Sequence, residues 1–139
     1  MSDQYRLKRR VHFYETDAAG IVHFSWFYRY MEEAEHALWR EKGMSIAAPD
    51  SEFGFPRVAA SFDFHHPLYF EDEFEVVLTL VQLGDKTIRY KATVIRDNES
   101  IATGSLTVVC VQRTAGQTMK AVTIPREIAE RFDSFKEDN

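Results

Sequence analysis

The chain has 139 residues, 45% of them hydrophobic and 14% aromatic, and a net charge of −5. Such a composition supports one packed core and is too apolar for a disordered chain, so a single domain over residues 1–139 is expected. The acidic balance argues against nucleic acid as a partner, and no apolar run approaches the roughly 20 residues of a membrane span.

Residues 1–10 lack the apolar core of a secretory signal. The one cysteine, Cys110, lies in the apolar run from Leu106 to Val111, as a buried strand thiol would, and a cytoplasmic location is expected. Leu7, Val11 and Phe13 alternate as a first strand, and Ala18-Ala19-Gly20 breaks it. Phe24, Phe27, Tyr28, Met31, Glu35, Leu38, Trp39 and Lys42 recur at helical spacing, with Gly43 as the stop. Residues 44–56, with Pro49, Gly54 and Pro56, read as a loop long enough to cover a pocket.

From Arg57 the period changes to two. Val58, Ala60, Phe62 and Phe64 alternate with polar or small residues, and Pro67 ends the run. Strands follow over Glu73–Leu83, Ile88–Val94 and Ile101–Gln112, separated by turns at Gly84-Asp85 and Asp97-Asn98-Glu99. Ala121–Ile124 extends a sheet edge, and Pro125 opens a short helix through Phe132. No linker, repeat or low-complexity segment interrupts this order. One long helix followed by an antiparallel meander packs most simply with the sheet curved around the helix, an α+β architecture.

The stretch from Arg10 to Phe27 carries the chemistry. It sets one carboxylate, Asp17, between a strand and a helix whose first turn offers unpaired N–H groups. Its pattern is a basic and a branched apolar residue (Arg10, Val11), four spacers, Thr16-Asp17, two small residues, Gly20, Ile21-Val22, and rings at Phe24 and Phe27. This closely resembles the active-site signature of the 4-hydroxybenzoyl-CoA thioesterase family. The resemblance implies a hotdog fold, hydrolysis of acyl-coenzyme A thioesters, and active sites at the interface of a homodimer, often paired into a homotetramer. It implies no separate cofactor, since coenzyme A arrives as part of the substrate.

Thioester hydrolysis needs an attacking group, a donor to the developing oxyanion and a place for coenzyme A. Asp17 can attack the carbonyl directly or act as general base on water. The backbone N–H groups around Val22, His23 and Phe24 are the expected oxyanion donors, aided by the helix dipole. Gly20 would let the backbone approach the thioester without a side chain in the way. His23 stands where relatives often carry another ring; it either faces the pocket, holding water or tuning Asp17, or sits at the rim. Phe27 replaces a frequent Tyr and is expected to pack. With Phe24, Trp26, Tyr28 and Met31 it would form a ring-rich pocket suited to an aryl or medium acyl group.

Arg57, Lys86, Arg89 and Lys91 are candidates for the coenzyme A phosphates, against the plainer reading of a solvated cationic face. Asp63, His65 and His66 resemble a metal-ligand cluster, but adjacent strand positions point to opposite faces, so no metal is expected. Two other functions fit the same residues: a thioesterase acting on acyl carrier protein, and a hotdog protein that binds acyl groups without cleaving them.

Overall fold

The computed structural model describes residues 3–113 and 119–138. In chain order they form β1 (Gln4–Arg10), a single 3-10 turn (Phe13–Glu15), α1 (Phe24–Glu41), β2 (Phe53–Gly54), β3 (Arg57–Phe64), β4 (Glu73–Leu83), β5 (Thr87–Arg96) and β6 (Glu99–Val109). The elements β7 (Val111–Gln112), β8 (Lys120–Ala121), α2 (Arg126–Ala129) and α3 (Asp133–Asp138) complete them. No helix among the described residues is long and apolar enough to cross a membrane.

A five-stranded antiparallel sheet has the order β1-β4-β5-β6-β3, and β2, β7 and β8 form a small second sheet. α1 touches β1 and β3, at opposite edges of the large sheet, as well as β4 beside β1. A flat sheet could not meet one helix at both edges, so the sheet curls around α1 in the hotdog fold. Register shifts at Leu80/Gln82 and Val94/Ile95 supply local bending. The buried face of α1 carries Phe27, Tyr30, Met31, Ala34, Leu38 and Trp39. Opposite them lie Val76, Leu78, Ile88, Tyr90, Val94 and Leu106, and each large side chain so removed from water contributes about 1.5–3 kcal/mol.

The structure corrects several sequence expectations. β1 stops at Arg10, and Phe13 belongs to the 3-10 turn and is exposed. The long final strand is broken at Cys110, which is buried as expected. The expected edge at Ala121–Ile124 contracts to Lys120–Ala121, and the C-terminal helix ends at Ala129 instead of Phe132. Only β4, β5 and β6 form a meander; β3 crosses to the far edge and pairs with β6. There, despite its alternation, β3 is exposed on both faces apart from Phe62. The two strands approach so closely that a Cβ at Gly104 would collide with the Ser61 carbonyl and the Phe62 ring.

The two ends of the described chain are joined through Asp3, a fully buried carboxylate. It accepts the Asp133 and Ser134 N–H groups at 2.7 and 2.9 Å and the Ser134 hydroxyl at 2.8 Å. The Lys42 ammonium, just past α1, lies 2.9 Å away. Burial pushes the Asp3 pKa up, but these donors more than offset it and leave it below the usual aspartate value. The folded state therefore holds this proton less tightly than the unfolded chain, and the stabilisation is present above the unfolded pKa and fades as pH falls through the folded one. Asp3→Asn is expected to lower unfolding stability by about 2 kcal/mol at neutral pH. Denaturant titrations of both proteins should converge below pH about 4; a gap independent of pH would contradict the ionised clasp.

Candidate active site

Asp17 sits on a tight hairpin between the 3-10 turn and α1. Thr16 and Val22 face each other across it as an isolated bridge. The Asp17 N–H donates to the Ile21 carbonyl and the Gly20 N–H to the Asp17 carbonyl, both at 2.9 Å. Asp17 Oδ1 accepts the Ala19 N–H at 2.9 Å, which leaves Oδ2 without a partner among the described residues. The carboxylate is half-buried and borders a cavity of about 520 Å³. Its apolar walls include Ile21, Phe24, Phe27, Phe64 and Leu68.

Gly20 has a conformational reason to be glycine. A Cβ there would meet nothing within 4 Å, yet its φ is +82°. The left-handed backbone that closes the hairpin favours glycine at this position.

The three expected oxyanion amides are not equivalent. The Val22 N–H donates to the Leu68 carbonyl and the His23 N–H to the Glu15 carbonyl, each at 2.9 Å. Both are engaged in fastening the hairpin. Phe24, the first residue of α1, has an N–H with no partner among the described residues, and its side chain lines the Asp17 cavity. His23 is the N-cap of α1, with Nδ1 2.8 Å from Ser25 Oγ and 3.3 Å from the Ser25 N–H. It is exposed and does not line the cavity.

Phe27 is buried and meets Phe64 edge-on at 5.1 Å, so it both packs and forms a wall. Tyr28 and Met31 border a separate, smaller cavity with Arg57, and Trp26 lines none of the described pockets near Asp17.

Two residues of this site escaped the sequence reading. His65 and His66 both line the Asp17 cavity, although alternation would send them to opposite faces. The alternation does not apply because β3 ends at Phe64. The N–H groups of His65 and His66 both donate to the Ile101 carbonyl, at 2.8 and 3.1 Å, and at this kink both residues border the same cavity. Pro67, directly after them, was the available signal that the strand rule stops here. His65 Nε2 lies 3.2 Å from Thr103 Oγ1, and His66 Nε2 3.5 Å from Glu99 Oε2. Asp63 does not join them at this cavity, and no three His, Cys, Asp or Glu side chains among the described residues are grouped as metal ligands would be.

The candidate phosphate ligands lie elsewhere. Arg57 is committed to the buried Glu35, to Glu32 at 3.4 Å and to the Phe55 carbonyl at 3.2 Å. Burial raises the Glu35 pKa, and Arg57 offsets this only in part. Arg89 and Lys91 border a shallow depression on the outer face of the sheet. Lys86 is exposed, on the turn before β5. None of the four lines the Asp17 cavity of its own chain.

Residues 11–132 match a family model described as the thioesterase-like superfamily. An Aquifex aeolicus (strain VF5) protein with a provisional esterase name is 36% identical over 124 residues, 88% of this chain and 93% of that one. A 1,4-dihydroxy-2-naphthoyl-CoA hydrolase of Crocosphaera subtropica is 33% identical over 92 residues, 65% of this chain and 67% of that one. Among solved structures, a gentisyl-coenzyme A thioesterase superposes with a TM-score of 0.79 at 31% identity, covering 88% of this chain and 98% of the other.

With its backbone at φ +82°, Gly20→Ala should cost about 1–2 kcal/mol of stability, measured by denaturant unfolding. A neutral substitution would show that the hairpin does not hold this conformation.

Proposed function

The chain belongs to the thioesterase-like superfamily, and on that premise we propose that it hydrolyses acyl-coenzyme A thioesters to a free acid and coenzyme A. The observation that carries this reading is the pairing, at one apolar cavity, of the Asp17 carboxylate with Phe24, whose N–H heads a helix and has no partner among the described residues. Chemistry at a thioester needs a group that delivers an oxygen to the carbonyl carbon and a donor for the oxyanion that forms.

In one route Asp17 adds to the carbonyl carbon, the C–S bond breaks, coenzyme A leaves as thiolate, and water cleaves the resulting anhydride. In the other, Asp17 takes a proton from a water that adds to the same carbon, and the thiolate leaves with a proton returned to it. Both routes place the same negative charge on the carbonyl oxygen. The Phe24 N–H, at the positive end of α1, is the donor for it, and one such donor lowers the barrier by about 3 kcal/mol. Thiolate is a good leaving group, so the site needs no strong acid.

The ring-rich walls suit an aryl or medium acyl group, and the two relatives named for their substrates act on hydroxylated aryl thioesters. With Arg57 held by Glu35, the nucleotide phosphates fall to Lys86, Arg89 and Lys91, reaching in from a neighbouring subunit. The open edge of β3, with Val58 and Phe64 exposed beside unpaired backbone, is where a second copy would extend the sheet and bring those cations to the cavity. The working unit is then a homodimer or a pair of them, located in the cytoplasm and without a dissociable cofactor.

Thiol release from a panel of benzoyl, phenylacetyl and straight-chain coenzyme A thioesters should reveal turnover of one acyl class, and Asp17→Asn should reduce it by at least about 100-fold. No turnover, or turnover that survives the substitution, would move the function to carrier-protein substrates or to acyl binding alone. Sedimentation velocity should give a mass of two or four chains; a monomer would contradict the shared site.

A further inference from the structure

Three carboxylates are fully buried among the described residues: Asp3, Glu15 and Glu35. Asp3 clasps the chain ends and Glu35 holds Arg57. Glu15 is attached to the catalytic hairpin, and neither the fold nor the reaction outlined above accounts for it. Its Oε2 accepts from Arg9 Nη1 at 2.7 Å, and its Oε1 accepts from the Tyr30 hydroxyl and the His12 N–H, each at 2.9 Å. Arg9 is fixed in turn by Glu33 at 2.9 Å and lies over the Tyr30 ring, 4.7 Å from its centre. Burial works against the charge on Arg9, but Glu15 and Glu33 outweigh it and raise its pKa. Burial and the bond to Glu15 hold the Tyr30 hydroxyl protonated far above its ordinary range, so it remains a donor.

The backbone of the same residue completes the arrangement. The Glu15 N–H donates to the His12 carbonyl at 3.0 Å, and the Glu15 carbonyl accepts the His23 N–H at 2.9 Å. Asp17 follows two residues after Glu15, and Phe24 follows one residue after His23. Glu15 therefore stands at the base of a hairpin whose one arm carries the carboxylate and whose other arm leads to the unpaired amide. A buried ionised pair is a poor source of net stability compared with apolar residues of similar size. Its geometric specificity is the better reason for placing one here.

We propose that Glu15 is a positioning residue for thioester hydrolysis: its buried carboxylate, locked by Arg9, Tyr30 and the His12 amide, sets the distance and angle between the Asp17 carboxylate and the Phe24 N–H. The inference rests on the thioesterase reading for its kinetic consequence but not for its structural one. Glu15→Gln keeps the size and one acceptor while replacing an oxygen by an NH₂ group, which turns a donor toward either Arg9 or Tyr30. Tyr30→Phe removes a single bond to Glu15 and serves where the first variant does not fold. Asp3→Asn is the control, a lesion of another buried carboxylate at the joined chain ends.

Kinetics with benzoyl-coenzyme A, or whichever panel member turns over fastest, should show kcat lower by about 10- to 100-fold in Glu15→Gln, as a displacement near 1 Å would produce. KM should stay within about 2-fold, since substrate contacts are retained. Tyr30→Phe should fall between this variant and wild type, and Asp3→Asn should keep its kcat. Hydrogen exchange supplies a readout independent of activity: the Asp17 and His23 amides should exchange faster in Glu15→Gln and Tyr30→Phe, with β5 unchanged. An unchanged kcat in the folded Glu15 variant, or an equal loss of kcat in Asp3→Asn, would overturn the positioning role. If the wild type hydrolyses no thioester, the functional reading fails, and exchange alone decides whether Glu15 holds the hairpin: unchanged protection would reject it.

Discussion

The hydrogen bond from the His23 N–H to the Glu15 carbonyl joins the end of the first strand region to the start of α1, and the geometry of the site follows from it. It closes a hairpin that already needs a left-handed glycine at its tip, and it fixes where the helix begins. Because Val22 and His23 both give their N–H groups to backbone carbonyls, the first amide left over belongs to Phe24. A helix with its N-terminus left open would offer several donors in uncertain orientation. This one offers a single donor, next to the cavity that Asp17 lines, and the helix dipole is aimed along it.

That constraint is maintained by charges removed from water. Glu15, Glu35 and Asp3 would each be costly alone, and each is matched by a cation and by further donors or neighbouring groups. The three sites lie at different junctions: strand to hairpin, helix to edge strand, and chain start to chain end. The apolar core binds sheet to helix over a broad face without fixing the fine position of any loop. These directional contacts do so where the core does not reach. The outer edge of β3 is the contrasting case, with apolar side chains left in water and, among the described residues, no strand beyond it.

How much of this was legible in the sequence follows from the range of the interactions. α1 and β4 were readable, because apolar periodicity and the flanking Gly43 and Gly84 are local signals. Asp17 stood out from a contiguous motif, and the structure sets it at the border of an apolar cavity. The place of β3 was not readable, since pairing with β6 depends on contacts about forty to fifty residues away. Glu15 was passed over because a glutamate in a turn reads as solvated; only Arg9 and Tyr30, brought together by the fold, make it a buried centre. The engagement of the Val22 amide by Leu68 and the kink that sets both His65 and His66 at the cavity are likewise backbone events at a distance, invisible to spacing.

The most direct test of the account is a crystal structure of the Asp17→Asn protein with a benzoyl-coenzyme A substrate left uncleaved. The thioester carbonyl oxygen should lie about 3 Å from the Phe24 nitrogen, with the residue 17 side chain facing the carbonyl carbon. A carbonyl directed away from the start of α1, or an acyl group bound outside the Asp17 cavity, would contradict it.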